Sequence, residues 1–377
     1  MYATFPNRIA RLPSHLTVFS CGALLLAYAT GLAADHSATA RHLISKETYS
    51  VSQKSNRLAA GSTALTQCKN AHVDSMVQCE LTEIDNEYLR TTAEIKARVP
   101  LGGHPLYLWR YVHGDATVYL AGSIHMLKPG FYPLARQYEL AFASSEFLVV
   151  EVDTEQTSPA NIEALSLRYG RLPQGQTLST VLPTDAYNSL AQMMARYGIH
   201  LSHFENLKPN LAIQQLTVLA LLSIGYNPDA GLEAHFRRIK ANRPVLELET
   251  FEFQLDLLYN APLTTQIQMT EATIEEMASF ETITTDLIAA WLSGNDEAFK
   301  KATDAQSGDT PEIRTFMEKL INKRNHSMTQ KLTSYLRQAG TYFVLVGAAH
   351  LIGDEGIPNL LDEAGYQGHR LTTDDEI

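Results

Sequence analysis

Two short apolar runs, far apart in the chain, share one design. Tyr342–Val346 places five bulky apolar or aromatic residues in a row, the pattern of a strand buried on both faces. It runs into Gly347-Ala348-Ala349-His350, so a histidine follows three residues too small to block access to it. Thr117–Ala121 repeats the arrangement and leads into Gly122-Ser123-Ile124-His125. Two strand–Gly-x-x-His units, 225 positions apart, point to one site built from both ends of a domain.

The pattern around them predicts strands alternating with helices. Leu106–Val112 and Thr117–Ala121 flank a turn containing Gly114 and Asp115, a hairpin signal. Pro133 suits the first turn of a helix with Leu134, Tyr138, Ala141 and Phe142 on its apolar face. Phe147–Val150 reads as a strand ending at Glu151, and Pro244–Leu248 as one ending at Glu249. Helices fill much of the space between the two histidine units. Thr184 caps Asp185–Tyr197, which Gly198 ends, and Pro209–Ile224 is a core helix. Gly231–Asn242 carries Leu232, His235, Phe236 and Ile239 on one face, and helices dominate from Phe251 to Gln338. Gly356–Ala364 is a closing helix and Arg370–Thr372 an edge strand. The class is α/β: residues 101–377 form a mixed β-sheet flanked by helices, with a long helical insertion.

The first hundred residues read differently. Arg8 and Arg11 precede the uncharged run Leu16–Leu32, and Gly31-Leu32-Ala33 has the small residues of a cleavage site. Residues 1–33 are therefore expected to be a secretory signal peptide, with a retained N-terminal membrane anchor as the alternative. Residues 34–65 are polar with little periodicity and read as a flexible linker. Residues 66–100 read as a small helical appendage of two short helices. Cys68 and Cys79 lie there, and in an exported chain the pair reads as a disulfide, with two buried thiols as the alternative.

Composition narrows the partners. The chain is 45% hydrophobic and carries a net charge of −11, and residues 1–33 contribute only positive charge. An acidic chain of this kind argues against nucleic acid or anionic membrane as the main partner. After the signal segment no run is long and apolar enough for a stable membrane span. Gly-x-Gly-x-x-Gly, Walker and Gly-x-Ser-x-Gly motifs are absent, so nucleotide and serine-hydrolase readings lose their usual support.

Four expected strands end in a residue of metal-ligand type: His125, Glu151, Glu249 and His350. Ligands of open α/β sheets bind beyond the carboxyl ends of the strands. Imidazole and carboxylate together suit a divalent Mn, Co, Zn or Fe ion, which lowers the pKa of bound water and polarises a carbonyl. One histidine after a strand is ordinarily structural, and the argument rests on the repeat. Glu249 reads equally well as a cap of the next helix. Arg324 and Asn325 lie in a helix, where an exposed pair is the plain reading. His200 and His203 fall in a loop, and His235 reads as a core histidine.

The stretches LYLWRYVHGDATVYLAGSIHMLKPGFYPL, FLVVEVD, RPVLELETFEFQLDLL, LINKRNHSM and FVLVGAAHLIGDEGIPNLLDEAGY carry a resemblance over roughly residues 105–373. There the chain resembles the TraB/PrgY/GumN family, whose animal relatives include the Tiki metalloproteases. The resemblance implies an erythromycin-esterase/ChaN-like (Tiki) architecture. It implies a metal-dependent centre of His125, His350 and Glu151, with Arg324 and Asn325 orienting substrate or an oxyanion. Glu249 sits in the family's Leu-Glu-Thr stretch. The expectation is a periplasmic or secreted hydrolase that depends on Mn, Co or Zn and cuts a peptide or protein substrate. Two alternatives stay open: a haem- or metal-binding protein without turnover, and a peptide-binding surface protein with a vestigial site.

Overall fold

The apolar runs pair with one another. The structure, a computed structural model, describes residues 35–72, 79–307 and 310–377. The expected signal peptide at 1–33 lies outside the described residues. A four-stranded sheet is built from β1 (His36–His42), β2 (Thr48–Lys54), β3 (Cys79–Ile84) and β4 (Glu87–Tyr88), in the order β2-β1-β3-β4. A six-stranded sheet is built from β5 (Pro105–His113), β6 (Ala116–Ser123), β7 (Phe147–Val150), β8 (Val245–Glu247), β9 (Gly340–Gly347) and β10 (Gly368–Thr372). Its order is β10-β5-β6-β9-β7-β8.

The larger sheet is mixed. β5 and β6 form the expected hairpin, with Leu108 opposite Ala121 and Gly114 at a φ of +56° in the turn. That left-handed conformation is open to glycine without steric penalty. β10 adds antiparallel to β5 at one edge. β6, β9, β7 and β8 run parallel, so their carboxyl ends lie along one edge. Ser123 is the register partner of Gly347, and Val150 that of Leu345 and Glu247. All four expected strand ends therefore meet at one edge of one sheet.

β9 is central because its side chains are apolar on both faces. Phe343, Val344, Leu345 and Val346 are fully buried. Removing such a side chain from water stabilises the fold by about 1.5–3 kcal/mol. Side chains alternate between the faces of a strand. Phe343 packs on Phe142 and Phe236, with ring centroids 5.4 and 4.6 Å away. Tyr342, on the other face, stacks on Tyr335 of the helix Pro311–Leu336 at 4.9 Å. Thr310 starts that helix by accepting from the Ile313 N–H. The helix expected at Pro133 begins at Arg136, and Thr184–Arg196 begins at Thr184 rather than after it. The helical insertion has a core of its own, including Leu178, Leu190, Met194, Leu201 and Leu216.

Residues 35–100 depart furthest from expectation. The stretch read as a linker holds β1, β2 and the start of the helix Arg57–Ala71, and the stretch read as two short helices holds the end of that helix, β3, β4 and the short helix Thr92–Lys96. The buried positions of β1 are Ala38, Ala40 and His42, and those of the helix include Ala60, Gly61, Ala64 and Cys68. Small side chains alternate and face inward here, but they carry little hydrophobic signal. Asn56 caps the helix, its side chain accepting from the Ala59 N–H at 2.8 Å. A disulfide joins Cys68 on the helix to Cys79 on β3. The buried residues of this layer are continuous with the core of the larger sheet.

Candidate functional site

The two Gly-x-x-His turns lie side by side because β6 and β9 are neighbours. A Cβ on Gly122 would stand 2.9 Å from Leu351 Cδ1 and 3.1 Å from Ala348 Cα, so glycine lets the first turn pack on the second. Trp291, on the helix Phe280–Ser293, donates its Nε1–H to the Gly122 carbonyl at 2.9 Å. His350 sits in the short 3-10 turn Ala348–Leu351.

His350 is buried, and its partner sets its tautomer. Asn325 Nδ2 donates to the Glu355 carbonyl at 2.7 Å, which turns Oδ1 toward His350. Oδ1 then accepts from His350 Nδ1–H at 2.5 Å. The proton is held on Nδ1, so the lone pair is on Nε2, which lies 3.9 Å from Glu151 Oε1. Burial, and then the Arg324 charge, lower the His350 pKa to about 3 against the pull of Glu151.

His125 has the opposite setting. Its Nδ1 stands 2.9 Å from Oε1 of Glu233, in the first turn of the helix Leu232–Ile239. Ser123 donates its hydroxyl to the same oxygen. Burial works against the charged imidazole, but Glu233, with Glu151 beyond it, raises the His125 pKa to about 9. Burial opposes the charge of Glu233, but the His125 charge together with hydrogen bonds from His125 and Ser123 holds it lowered.

Glu151 ties the turns together. Its Oε1 accepts from the Gly347 N–H at 2.6 Å, and its Oε2 accepts from Arg324 Nη2 at 2.5 Å and Gln254 Nε2 at 3.0 Å. Burial opposes its charge, yet Arg324, His350 and His125 hold the carboxyl well below the usual carboxylate range. Arg324 also donates to Glu249, through Nε at 2.9 Å, with Nη2 another 2.9 Å contact. Burial pushes Glu249 up, and Arg324 only partly offsets this. Arg324 is held further up by its two carboxylates, despite its own burial.

A metal ion at this place has a defined set of candidate donors. A Cβ built on Gly347 would lie 3.4 Å from Glu151 Oε1, 3.6 Å from His350 Cδ2 and 3.7 Å from His125 Nε2. Both imidazoles and one carboxylate oxygen thus surround a space kept open by a glycine. Among the described residues, no three His, Cys, Asp or Glu groups already stand in ligating geometry. Two imidazoles and a carboxylate are donors of the type a divalent ion takes.

Two expected roles change. Asn325 is 1% exposed and both ends of its amide are engaged, the oxygen by His350 and the nitrogen by the Glu355 carbonyl. Glu249 turns its Oε2 to Arg324 and Gln254, and its Oε1 is buried with no hydrogen-bond partner. It belongs to the ion pair behind the site rather than to the donors around Gly347. Arg324, which only the resemblance brought to the site, lies there, and its guanidinium is committed to two carboxylates.

Three participants escaped the sequence reading: Glu233, Gln254 and the Gly347 N–H. Glu233 and Arg237 are four apart on one helix and line the same cleft beside His125, together with Phe251 and Gln254. That i, i+4 spacing was the available signal. His235 binds Glu139 at 2.6 Å, away from these groups, and His200 caps a turn through Ser202.

The fold and this constellation define an α/β protein with a paired-histidine, carboxylate-lined centre at the carboxyl edge of its sheet. The model of the TraB/PrgY/gumN family matches residues 107–370, and the chain belongs to that family. It is 22% identical over 270 residues to the uncharacterized protein YbaP of Escherichia coli (strain K12), covering 69% of this chain and 94% of that one. It is 22% identical over 329 residues to a Metalloprotease TIKI homolog of Amphimedon queenslandica, covering 72% of this chain. It is 24% identical over 314 residues to Metalloprotease TIKI1 of Danio rerio, covering 69% of this chain. The match spans 62% of each of those two proteins. No solved structure matches. No helix among the described residues is long and apolar enough to cross a membrane.

Proposed function

We propose that this protein is an exported, divalent-metal-dependent hydrolase of peptidase type. The observation that carries the reading is the placing of His125 Nε2, the His350 ring and Glu151 Oε1 around one point above Gly347. The names of the TIKI relatives favour peptide or protein as substrate.

His125, His350 and Glu151 would hold the ion, with Mn, Co or Zn the candidates; when bound, it lowers the pKa of a water and polarises a carbonyl. Asn325 and Glu233 orient the two imidazoles from behind, the arrangement that fixes tautomer and ring plane at metal sites. Glu151 keeps its charge at neutral pH, so it contributes as an anion and is a poor proton acceptor. Arg324 holds Glu151 and Glu249 in register and places positive charge beside the reacting space. The cleft lined by Val152, Ala234, Phe251 and Arg237 opens beside His125 and would receive the substrate chain.

The test is cleavage of a peptide library by the full chain with Mn, Co or Zn, beside a His350→Ala control. Metal-dependent cleavage that the control lacks is expected. No metal-dependent cleavage, or equal cleavage by the control, would overturn the reading.

A further inference from the structure

The segment after His125 is gripped from two sides, and only one of them belongs to the family-matched region. On that side Leu127 pairs with Asn227, N–H to carbonyl at 3.2 and 2.9 Å, and Leu232 N–H donates to the Ile124 carbonyl at 3.2 Å. The other side is the layer formed by residues 35–72 and 79–98, whereas the family match begins at 107. Lys128 is 3% exposed, and its ammonium donates to the Arg90 carbonyl at 2.9 Å. Lys96 Nζ donates to the Gly130 carbonyl at 3.0 Å. A Cβ on Gly130 would stand 2.1 Å from Glu80 Oε1 and 2.6 Å from Thr92 Oγ1, so the turn is seated directly on this layer. Glu80 is buried and held there by the Thr92 N–H at 2.8 Å.

The same layer grips the second support of the His125 turn. Arg90 binds Glu281 at 2.7 Å and Arg98 binds Asp286 at 2.7 Å. Both acids lie on the helix Phe280–Ser293, whose Trp291 bonds the Gly122 carbonyl. Among the described residues no corresponding grip reaches His350, which is held by Asn325, itself bonded to the Glu355 carbonyl, from within the matched region.

We infer that residues 35–72 and 79–98 are a positioning element for His125, acting through Glu80, Arg90 and Lys96 on the turn Leu127–Phe131. Buried polar contacts enforce this: moving the turn would pull the Lys128 ammonium off the Arg90 carbonyl and the Gly130 carbonyl off Lys96. The consequence for metal-dependent chemistry rests on the proposed function, while the positioning itself does not.

The experiment uses the full chain labelled with 15N at histidine, free of metal, with His125→Gln and His350→Gln supplying assignments. The variants are Gly130→Ala, Lys128→Met and Lys96→Met, with the exposed Thr48→Ala on β2 as control. In the three variants the His125 imidazole resonances should move and those of His350 should stay, and in Thr48→Ala neither should move. Manganese affinity, measured by calorimetry, should fall about tenfold in the folded variants, the scale for loss of an outer partner of a metal ligand. Folded variants in which His125 does not move, or moves no more than His350, overturn the inference. If Gly130→Ala and Lys128→Met fail to fold, Lys96→Met decides, because it removes one bond from a half-buried side chain. A parent protein that neither binds metal nor cleaves peptide sinks the hydrolase reading, and the imidazole resonances still decide this one.

Discussion

His125 and His350 leave neighbouring parallel strands on the same four-residue turn, yet the fold gives them opposite electrical characters. Behind His125 stands a carboxylate, Glu233, and behind His350 a neutral amide, Asn325. Arg324 adds its positive charge to the burial that already disfavours a charged His350. One imidazole is therefore raised to about 9 and the other lowered to about 3. The lesson is that a repeated sequence device fixes where a side chain is presented, while its partners from other elements fix its proton. A site with one cationic and one neutral imidazole around an anionic Glu151 is balanced without metal. An incoming ion must displace the His125 proton, so affinity should rise with pH toward about 9.

The largest perturbation is to remove the cation that faces both imidazoles. Arg324→Met leaves Glu151 and Glu249 buried without their counter-charge and should destabilise by about 3–5 kcal/mol in urea unfolding. Adding Glu249→Gln should recover part of that loss; no recovery would separate Glu249 from the pair. Removing either imidazole comes next. His125→Ala and His350→Ala should each lower metal-dependent kcat/KM by at least about 100-fold, beyond the usual cost of losing an outer partner.

Exchanging the partners should erase the contrast. Glu233→Gln should bring the His125 pKa down from about 9, and Asn325→Asp should bring that of His350 up from about 3, both read by NMR titration. Each exchange should also weaken metal binding by about 10- to 100-fold. An unchanged His125 titration in Glu233→Gln would remove Glu233 as the cause.

The smallest effect is on stability without metal. A histidine raised in the fold stabilises below its unfolded pKa of about 6.5, and that contribution is lost as pH climbs through 9. One lowered in the fold contributes above about 6.5 and loses its contribution as pH falls toward 3. From these two groups stability should peak near about pH 6.5 and decline on both sides. Urea midpoints at acid, neutral and alkaline pH check this. Glu233→Gln should flatten the alkaline limb alone.

Much of the larger sheet was legible in the chain because its strands are short, bulky and apolar, as in Phe147–Val150 and Tyr342–Val346. The four strand ends were legible for the same reason, and β6, β7, β8 and β9 bring them to one edge. The N-terminal layer was not. Its strands and helix bury Ala38, Ala40, Ala60, Gly61 and Ala64, whose small side chains barely depart from the pattern of a polar linker. The Cys68–Cys79 disulfide was anticipated, but between a helix and a strand rather than between two helices.

The sequence by itself determined the α/β class, the paired histidine turns and Glu151 as the acid at a third strand end, while Arg324 entered only through the family resemblance. Those features are local: strand patterns and turn chemistry act over a few neighbouring residues. Only the tertiary structure decided that Glu233 stands against His125, that Asn325 bonds His350, and that Glu249 pairs with Arg324. Such partnerships join residues distant in the chain, as Ser123 and Glu233 do across 110 positions. Buried charges choose their partners by proximity in a medium that screens them weakly, and proximity exists only once the chain has folded.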